Sequence, residues 1–106
     1  MSKYFIFLFL FPVLGFGQQK FTVSGYVKDA SNGEALIGAT IYVKSLNTGV
    51  TTNLYGFYSL TIQSGNYNLD ISYVGYATQT KSLNLTENIR VDIELEAEGK
   101  QLEEII

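Results

Sequence analysis

The residues that could carry chemistry in this chain are few, and what is missing narrows them further. The 106 residues contain neither histidine nor cysteine. That removes Ser-His-Asp and Cys-His nucleophile systems and ordinary zinc sites. Paired carboxylates remain possible for acid–base work, with Asp29, Glu34, Asp70, Asp92 and Glu94 as candidates. Asp70, Asp92 and Glu94 alternate with apolar residues, so they belong on the wet faces of strands. Asp29, Asn32 and Glu34 offer side-chain oxygens that suit calcium, and the same residue types also build turns without a metal. No glycine-rich phosphate loop is present, because Gly33 and Gly38 have the wrong spacing. Tyr26, Tyr42, Tyr55, Tyr67, Tyr73 and Tyr76 could form a stacking platform for sugars, although tyrosines at strand spacing more often serve as core or rim. Asn84-Leu85-Thr86 fits a glycosylation sequon, a short pattern that also arises by chance. The expectation is a chain that is not an enzyme, with no catalytic, cofactor-binding or metal residues and no cofactor.

The elements that would position these groups are strands. Thr51 to Leu60 is the organising stretch: a strand end, a tight turn at Asn53 and Gly56, and a strand start, read as a β-hairpin. Tyr58, Leu60 and Ile62 recur at period two. Similar alternation marks strands over Phe21–Lys28, Ala39–Lys44, Val50–Asn53, Phe57–Ile62, Tyr67–Tyr73, Tyr76–Leu85 and Ile89–Leu95. Ser64-Gly65-Asn66 reads as a second hairpin turn. Seven short strands with regular turns and no helical period predict an all-β fold, a seven-stranded antiparallel sandwich.

The first seventeen residues stand apart. Met1-Ser2-Lys3 is a short basic start, Tyr4 to Phe16 is almost wholly apolar, and Gly15 and Gly17 fit a cleavage site before Gln18. The expectation is a secretory signal peptide over residues 1–17, since the run is short for a membrane span. Lipid attachment at the cleavage site is excluded by the lack of cysteine. The rest is one small domain, residues 18–95, held by packing without disulfides. The net charge of -3, with no basic cluster, argues against nucleic acid as a partner. Residues 96–106 read as a charged, flexible linker ending in Leu102-Glu103-Glu104-Ile105-Ile106.

Several segments together resemble the carboxypeptidase regulatory-like domain. They are Val23-Ser24-Gly25-Tyr26-Val27-Lys28-Asp29, Gly33 to Ile41, Gly49 to Asn53, Gly56 to Leu60, Gly65-Asn66-Tyr67 and Val74-Gly75-Tyr76. The likeness runs over roughly residues 21 to 95 and implies a transthyretin-like sandwich. Asn53 stands where Asp is frequent, which speaks against a charged or metal site there. In one large group of this family the domain follows a signal peptide and precedes the plug and barrel of a SusC-like TonB-dependent outer-membrane receptor. The resemblance therefore implies an exported module on the periplasmic side of the outer membrane. Its partners would be the plug and barrel of the receptor and a TonB-type energising complex, with the linker leading towards a TonB box and plug. The alternative is a stand-alone secreted sandwich that binds carbohydrate or a surface protein, with a glycan as possible ligand.

Overall fold

The computed structural model describes residues 19–98, so both the proposed signal peptide and the Leu102–Ile106 segment lie outside the described residues. Among the described residues eight strands occur in chain order: β1 Lys20–Asp29, β2 Thr40–Val43, β3 Thr48–Thr51, β4 Phe57–Gln63, β5 Gly65–Ser72, β6 Gln79–Leu85, β7 Ile89–Arg90 and β8 Ile93–Leu95. One sheet runs β4-β1 with β7 and β8 following one another along the far side of β1; the other runs β3-β2-β5-β6.

Period-two patterning explains the two layers. In β1, Val23 and Val27 are fully buried while Thr22, Ser24, Tyr26 and Lys28 lie on the outer face. Tyr58, Leu60 and Ile62 of β4 point the same way as Val23 and Val27. Ile41, Val43, Leu69, Ile71, Leu83 and Leu85 meet them from the second sheet, and Ile93 and Leu95 close the core.

Two expected hairpins turn out to be bridges between sheets. β3 pairs with β2 and β4 pairs with β1, so residues 52–56 carry the chain from one sheet to the other. The Ser64 turn likewise passes from β4 to β5, in different sheets. Alternation reports which face of a strand is apolar and says nothing of its neighbour.

The last strand differs from the expectation twice. It divides into β7 and β8, and both run parallel to β1 rather than antiparallel. The break at Val91-Asp92 is held by a side chain standing in for a backbone acceptor. Val91 N–H donates to Ser24 O at 2.8 Å, and Tyr26 N–H donates to Asp92 Oδ1 at 2.9 Å. Asn88 Oδ1 accepts from Thr22 N–H in the same manner, at 2.9 Å. Strand boundaries shift elsewhere. β6 starts at Gln79 because residues 73–76 form a turn, with Tyr76 N–H on Tyr73 O at 3.0 Å. β2 stops at Val43, where Lys44–Leu46 makes a 3-10 turn closed by left-handed Asn47 (φ 53°).

Thr52 leaves the β3 ladder to join two loops. It is 5 % exposed, and its Oγ1 accepts from Ala39 N–H at 2.9 Å while donating to Leu36 O at 2.5 Å. Thr52→Val keeps the shape and strands both backbone groups in the core. The expected cost is about 2–4 kcal/mol, one desolvation penalty for each orphaned group. Urea denaturation checks this, and a midpoint equal to wild type would rule out the linking role.

Residues 96–98, expected to open a free linker, stay bonded to the sandwich. Ala77 N–H donates to Glu96 O and Glu98 N–H to Gly75 O, each at 2.9 Å, and Ala97 bridges Tyr76. Backbone pairing holds a segment that its charged side chains alone marked as unable to pack.

Candidate interaction surfaces

The carboxylates are dispersed, and the three aspartates each have a local task. Asp29 closes β1 and is 8 % exposed. Its Oδ1 accepts from Ser31 Oγ (2.6 Å), Ser31 N–H (2.7 Å) and Asn32 N–H (3.3 Å), and its Oδ2 accepts from the Tyr76 hydroxyl at 2.5 Å. Asn32 Oδ1 in turn accepts from Glu34 N–H at 2.9 Å. Asp29 and Asn32, two of the trio considered for calcium, therefore sit in a turn where their side-chain oxygens already hold donors. Among the described residues no group of three His, Cys, Asp or Glu side chains could hold a metal ion. Asp70 lies on the other sheet and accepts from Thr80 Oγ1 at 2.8 Å. Asp92 serves Tyr26 N–H and takes Arg90 Nε on both oxygens at 3.1 Å. Glu34 and Glu94 are exposed.

The donors around Asp29, the Ser31 hydroxyl first and the Tyr76 hydroxyl next, pull its carboxyl down from 3.8 to about 2. A depressed folded-state value gives stability that is whole above the unfolded value, near pH 4, and is lost as pH falls through about 2. Thermal melts of Asp29→Asn should thus show a shallower loss between pH 4 and pH 2 than wild type. Parallel acid profiles would contradict this. The Tyr58 phenol is pushed up to about 12 by burial and by the Asp92 charge, and it donates to Val91 O at 2.6 Å.

The tyrosines are dispersed over the fold rather than gathered into one platform, and several pack on the core or its rim. Tyr26 lies on the outer face of the first sheet, edge-on to Phe57 at 5.2 Å, with Lys28 Nζ at 5.6 Å and Arg90 Cζ at 5.3 Å from its ring centre. Tyr42 is on the outer face of the second sheet and donates to Asn47 Oδ1. Tyr67 packs against the core edge and donates to Gln63 O at 2.7 Å. Tyr73 and Tyr76 pack on the core 5.6 Å apart. Tyr55 lies on the loop of residues 52–56 and is 74 % exposed.

Two other surfaces emerge that the sequence did not mark. One is the outer face of β5 and β6, a shallow groove of about 780 Å³ lined by Asn66, Asn68, Asp70, Thr80, Ser82 and Asn84 among others. These side chains face one another in register: Asn66 with Asn84, Asn68 with Ser82, Asp70 with Thr80.

The other is an apolar end. Three connections meet there: residues 36–39, 52–56 and 73–76. Gly38 N–H donates to Thr52 O at 3.1 Å, and Gly38 and Val74 line one depression. Ile37 (49 % exposed), Leu54 (76 %), Tyr55 (74 %) and Val74 (92 %) project from it. Asn53 shapes the middle loop, its Oδ1 accepting from Tyr55 N–H at 2.9 Å and Phe57 N–H at 3.1 Å. Leu46 and Ile89, the other exposed large apolar residues described, lie away from this end. Spacing gave no sign of the patch, because its residues come from three turns far apart in sequence.

Comparison with solved structures finds chains of similar fold. A mutant Coh3ScaB-XDoc complex (a type II cohesin–X-dockerin complex) of Acetivibrio cellulolyticus aligns with TM-score 0.59 and 20 % identity, covering 69 % of this chain and 52 % of that one. A DUF3823 family protein of Bacteroides ovatus gives TM-score 0.58 and 21 % identity over 73 % and 44 %. At such identities the likeness concerns the fold alone.

Sequence comparison is more specific. Residues 23–106 match the CarboxypepD_reg-like domain, and the chain belongs to that family. It is 33 % identical over 105 residues to TonB-dependent receptor P3 of Formosa agariphila, covering 99 % of this chain and 10 % of that protein. TonB-dependent receptor SusC of Bacteroides thetaiotaomicron is 39 % identical over 61 residues, 58 % of this chain and 6 % of the receptor. Human carboxypeptidase D is 38 % identical over 58 residues, 55 % of this chain and 4 % of that protein. The chain thus spans a tenth or less of the length of these relatives.

Proposed function

We infer that the chain is a non-catalytic module of a TonB-dependent outer-membrane receptor, of the nutrient- or glycan-importing kind. The observation that carries this reading is the match to receptor P3, which takes in 99 % of this chain yet only 10 % of the receptor. In this reading residues 1–17 export the protein and the sandwich works on the periplasmic side of the outer membrane. Its tail, residues 99–106, offers Leu102 to Ile106 to an energising TonB-type partner by strand addition, where main-chain hydrogen bonds supply affinity and alternate side chains supply choice. The scattered, hydrogen-bonded carboxylates support a role without catalysis.

Titration of the mature chain with the periplasmic domain of a TonB protein, followed by NMR, tests the partner. Saturable shifts that vanish in Ile105→Asp are expected. Absence of shifts at millimolar partner would remove this role of the tail.

A second reading, a free-standing sandwich that binds carbohydrate, is favoured by the polar groove on β5 and β6. Amide and hydroxyl ladders suit uncharged polyols. Titration with a neutral hexasaccharide such as maltohexaose separates the two readings: Asn68→Ala and Ser82→Ala would abolish binding in this second case.

A further inference from the structure

Backbone pairing leaves one long sheet edge open. A single bond fixes the phase of the second sheet: Thr52 N–H donates to Ala39 O at 2.9 Å, between residues directly opposite in the β2–β3 register. Antiparallel ladders alternate, so Ile41 and Val43 bond β3, while Thr40 and Tyr42 turn their backbone groups to β5 opposite Ser72 and Asp70. Tyr67, Leu69 and Ile71 then bond Leu83, Lys81 and Gln79 of β6. The backbone N–H and C=O groups of Thr80, Ser82 and Asn84 therefore point away from the sheet. Among the described residues no strand lies beyond β6.

The other edges are guarded. On β4 the bonds from Val27 N–H to Gly56 O (2.8 Å) and from Ser64 N–H to Gln19 O (3.0 Å) set the phase, which turns Phe57, Ser59, Thr61 and Gln63 outward. Asn53 caps one end of that row, its N–H on Phe57 O at 3.0 Å and its Oδ1 accepting from Phe57 N–H at 3.1 Å. The Tyr67 hydroxyl caps the other end at Gln63 O, 2.7 Å away. β3 has only 4 residues, and β7 and β8 are separated at Val91-Asp92. Short, capped or broken edges resist an added strand, whereas the regular 7-residue edge of β6 invites one.

We propose that β6 takes up an extended acidic segment of a partner protein as an added strand, with a carboxylate set against Lys81. The two faces of β6 dictate that chemistry. Lys81, the one charged residue of the strand, is half-buried on the inward face, in line with buried Leu83 and Leu85. The start of β6 adjoins β8 across the sandwich, where Gln79 Nε2 donates to Glu94 O at 2.9 Å. On that side Ile89 is opposite inward-facing Val23 in register, yet it is 36 % exposed. Inward positions of the added strand thus call for a carboxylate at Lys81 and an apolar residue beside it. Outward positions extend the rungs of Asn68 with Ser82 and Asp70 with Thr80, which suits hydroxyl or amide side chains. A second copy fits less well, because β6 paired with itself about Ser82 sets Lys81 against Leu83 and gives neither lysine a carboxylate. The same edge exists in a receptor module and in a free-standing sandwich, so the proposal rests on neither reading.

The probe is a capped synthetic peptide, Thr-Val-Thr-Glu-Thr-Val-Thr, which reads the same in both directions and so fits either strand polarity. Added to the isotope-labelled mature chain, it should slow amide hydrogen exchange at Thr80, Ser82 and Asn84 and leave Ser59 and Thr61 unchanged. Replacing its glutamate by lysine should weaken binding about tenfold, and Lys81→Glu in the protein should reverse that preference. Ser82→Pro removes an outward donor, a change that edge strands tolerate, and should abolish binding while the thermal melt persists. A peptide N-methylated at alternate residues should fail equally against the unaltered protein. No protection at millimolar peptide, equal affinity for the glutamate and lysine peptides, or protection at Ser59 and Thr61 instead would overturn the proposal. So would slow exchange at Thr80, Ser82 and Asn84 before any peptide is added, which would mean that a second copy or another part of the chain already pairs with this edge.

Discussion

Gly25→Val is expected to cost about 3–5 kcal/mol, an overpacking penalty joined to lost hydrogen bonds. A Cβ at residue 25 would lie 2.0 Å from Val91 O, 2.6 Å from Val91 C and 2.8 Å from Asp92 Oδ1. Most of that obstacle is backbone, so the segment joining β7 to β8 must move. Moving it breaks Val91 N–H to Ser24 O and the Tyr58 hydroxyl bond to Val91 O, and pulls Asp92 from Tyr26 N–H. Small domains hold only about 5–15 kcal/mol in total, so this single change removes a large share. Gly25→Ala should already be severe, because the Cβ itself collides. Urea unfolding measures both, and a wild-type midpoint for either would show that β1 and the Val91 segment do not approach so closely.

Gly56→Val should cost about 2–5 kcal/mol, combining strain at a left-handed residue with close packing. Gly56 has φ +78°, and a Cβ there would lie 2.9 Å from both Ala35 Cβ and Val27 O. Its carbonyl accepts from Val27 N–H at 2.8 Å and its N–H donates to Asn53 O at 2.9 Å, so the turn cannot relax freely. Gly33, with φ +77° and nothing within 4 Å, is the control. Gly33→Val should show the strain alone, about 1–3 kcal/mol. Equal losses at the two positions would mean that the contact with Ala35 and Val27 adds nothing.

Much of the sandwich was legible in the sequence, and the reason is local. Val23, Val27, Tyr58, Leu60, Leu69, Ile71, Ile93 and Leu95 all sit on the buried face that period-two alternation assigns them. The left-handed turn at Gly56 and the Asn53 side-chain bonds follow from residue type in the same way. Partners were not legible. The chain crosses between sheets at residues 52–56 and at Ser64, where a hairpin would read identically. The parallel pairing of β7 and β8 depends on Asp92 and Asn88 offering side-chain oxygens to β1, a long-range substitution that no local pattern records. The need for glycine at residue 25 appears only once Val91 lies over it. The dispersal of the tyrosines and the apolar end formed by Ile37, Leu54, Tyr55 and Val74 have the same origin, since both are set by which loops the fold brings together.

The central claim is that this domain works as part of a TonB-dependent receptor. The direct measurement is uptake by cells whose receptor lacks residues 19–98 but keeps the leader and the tail. Barrel insertion is monitored in the same cells. The account predicts normal insertion with uptake strongly reduced, and restored when the domain is returned. Undiminished uptake by the deleted receptor would contradict it and reduce the domain to a spacer.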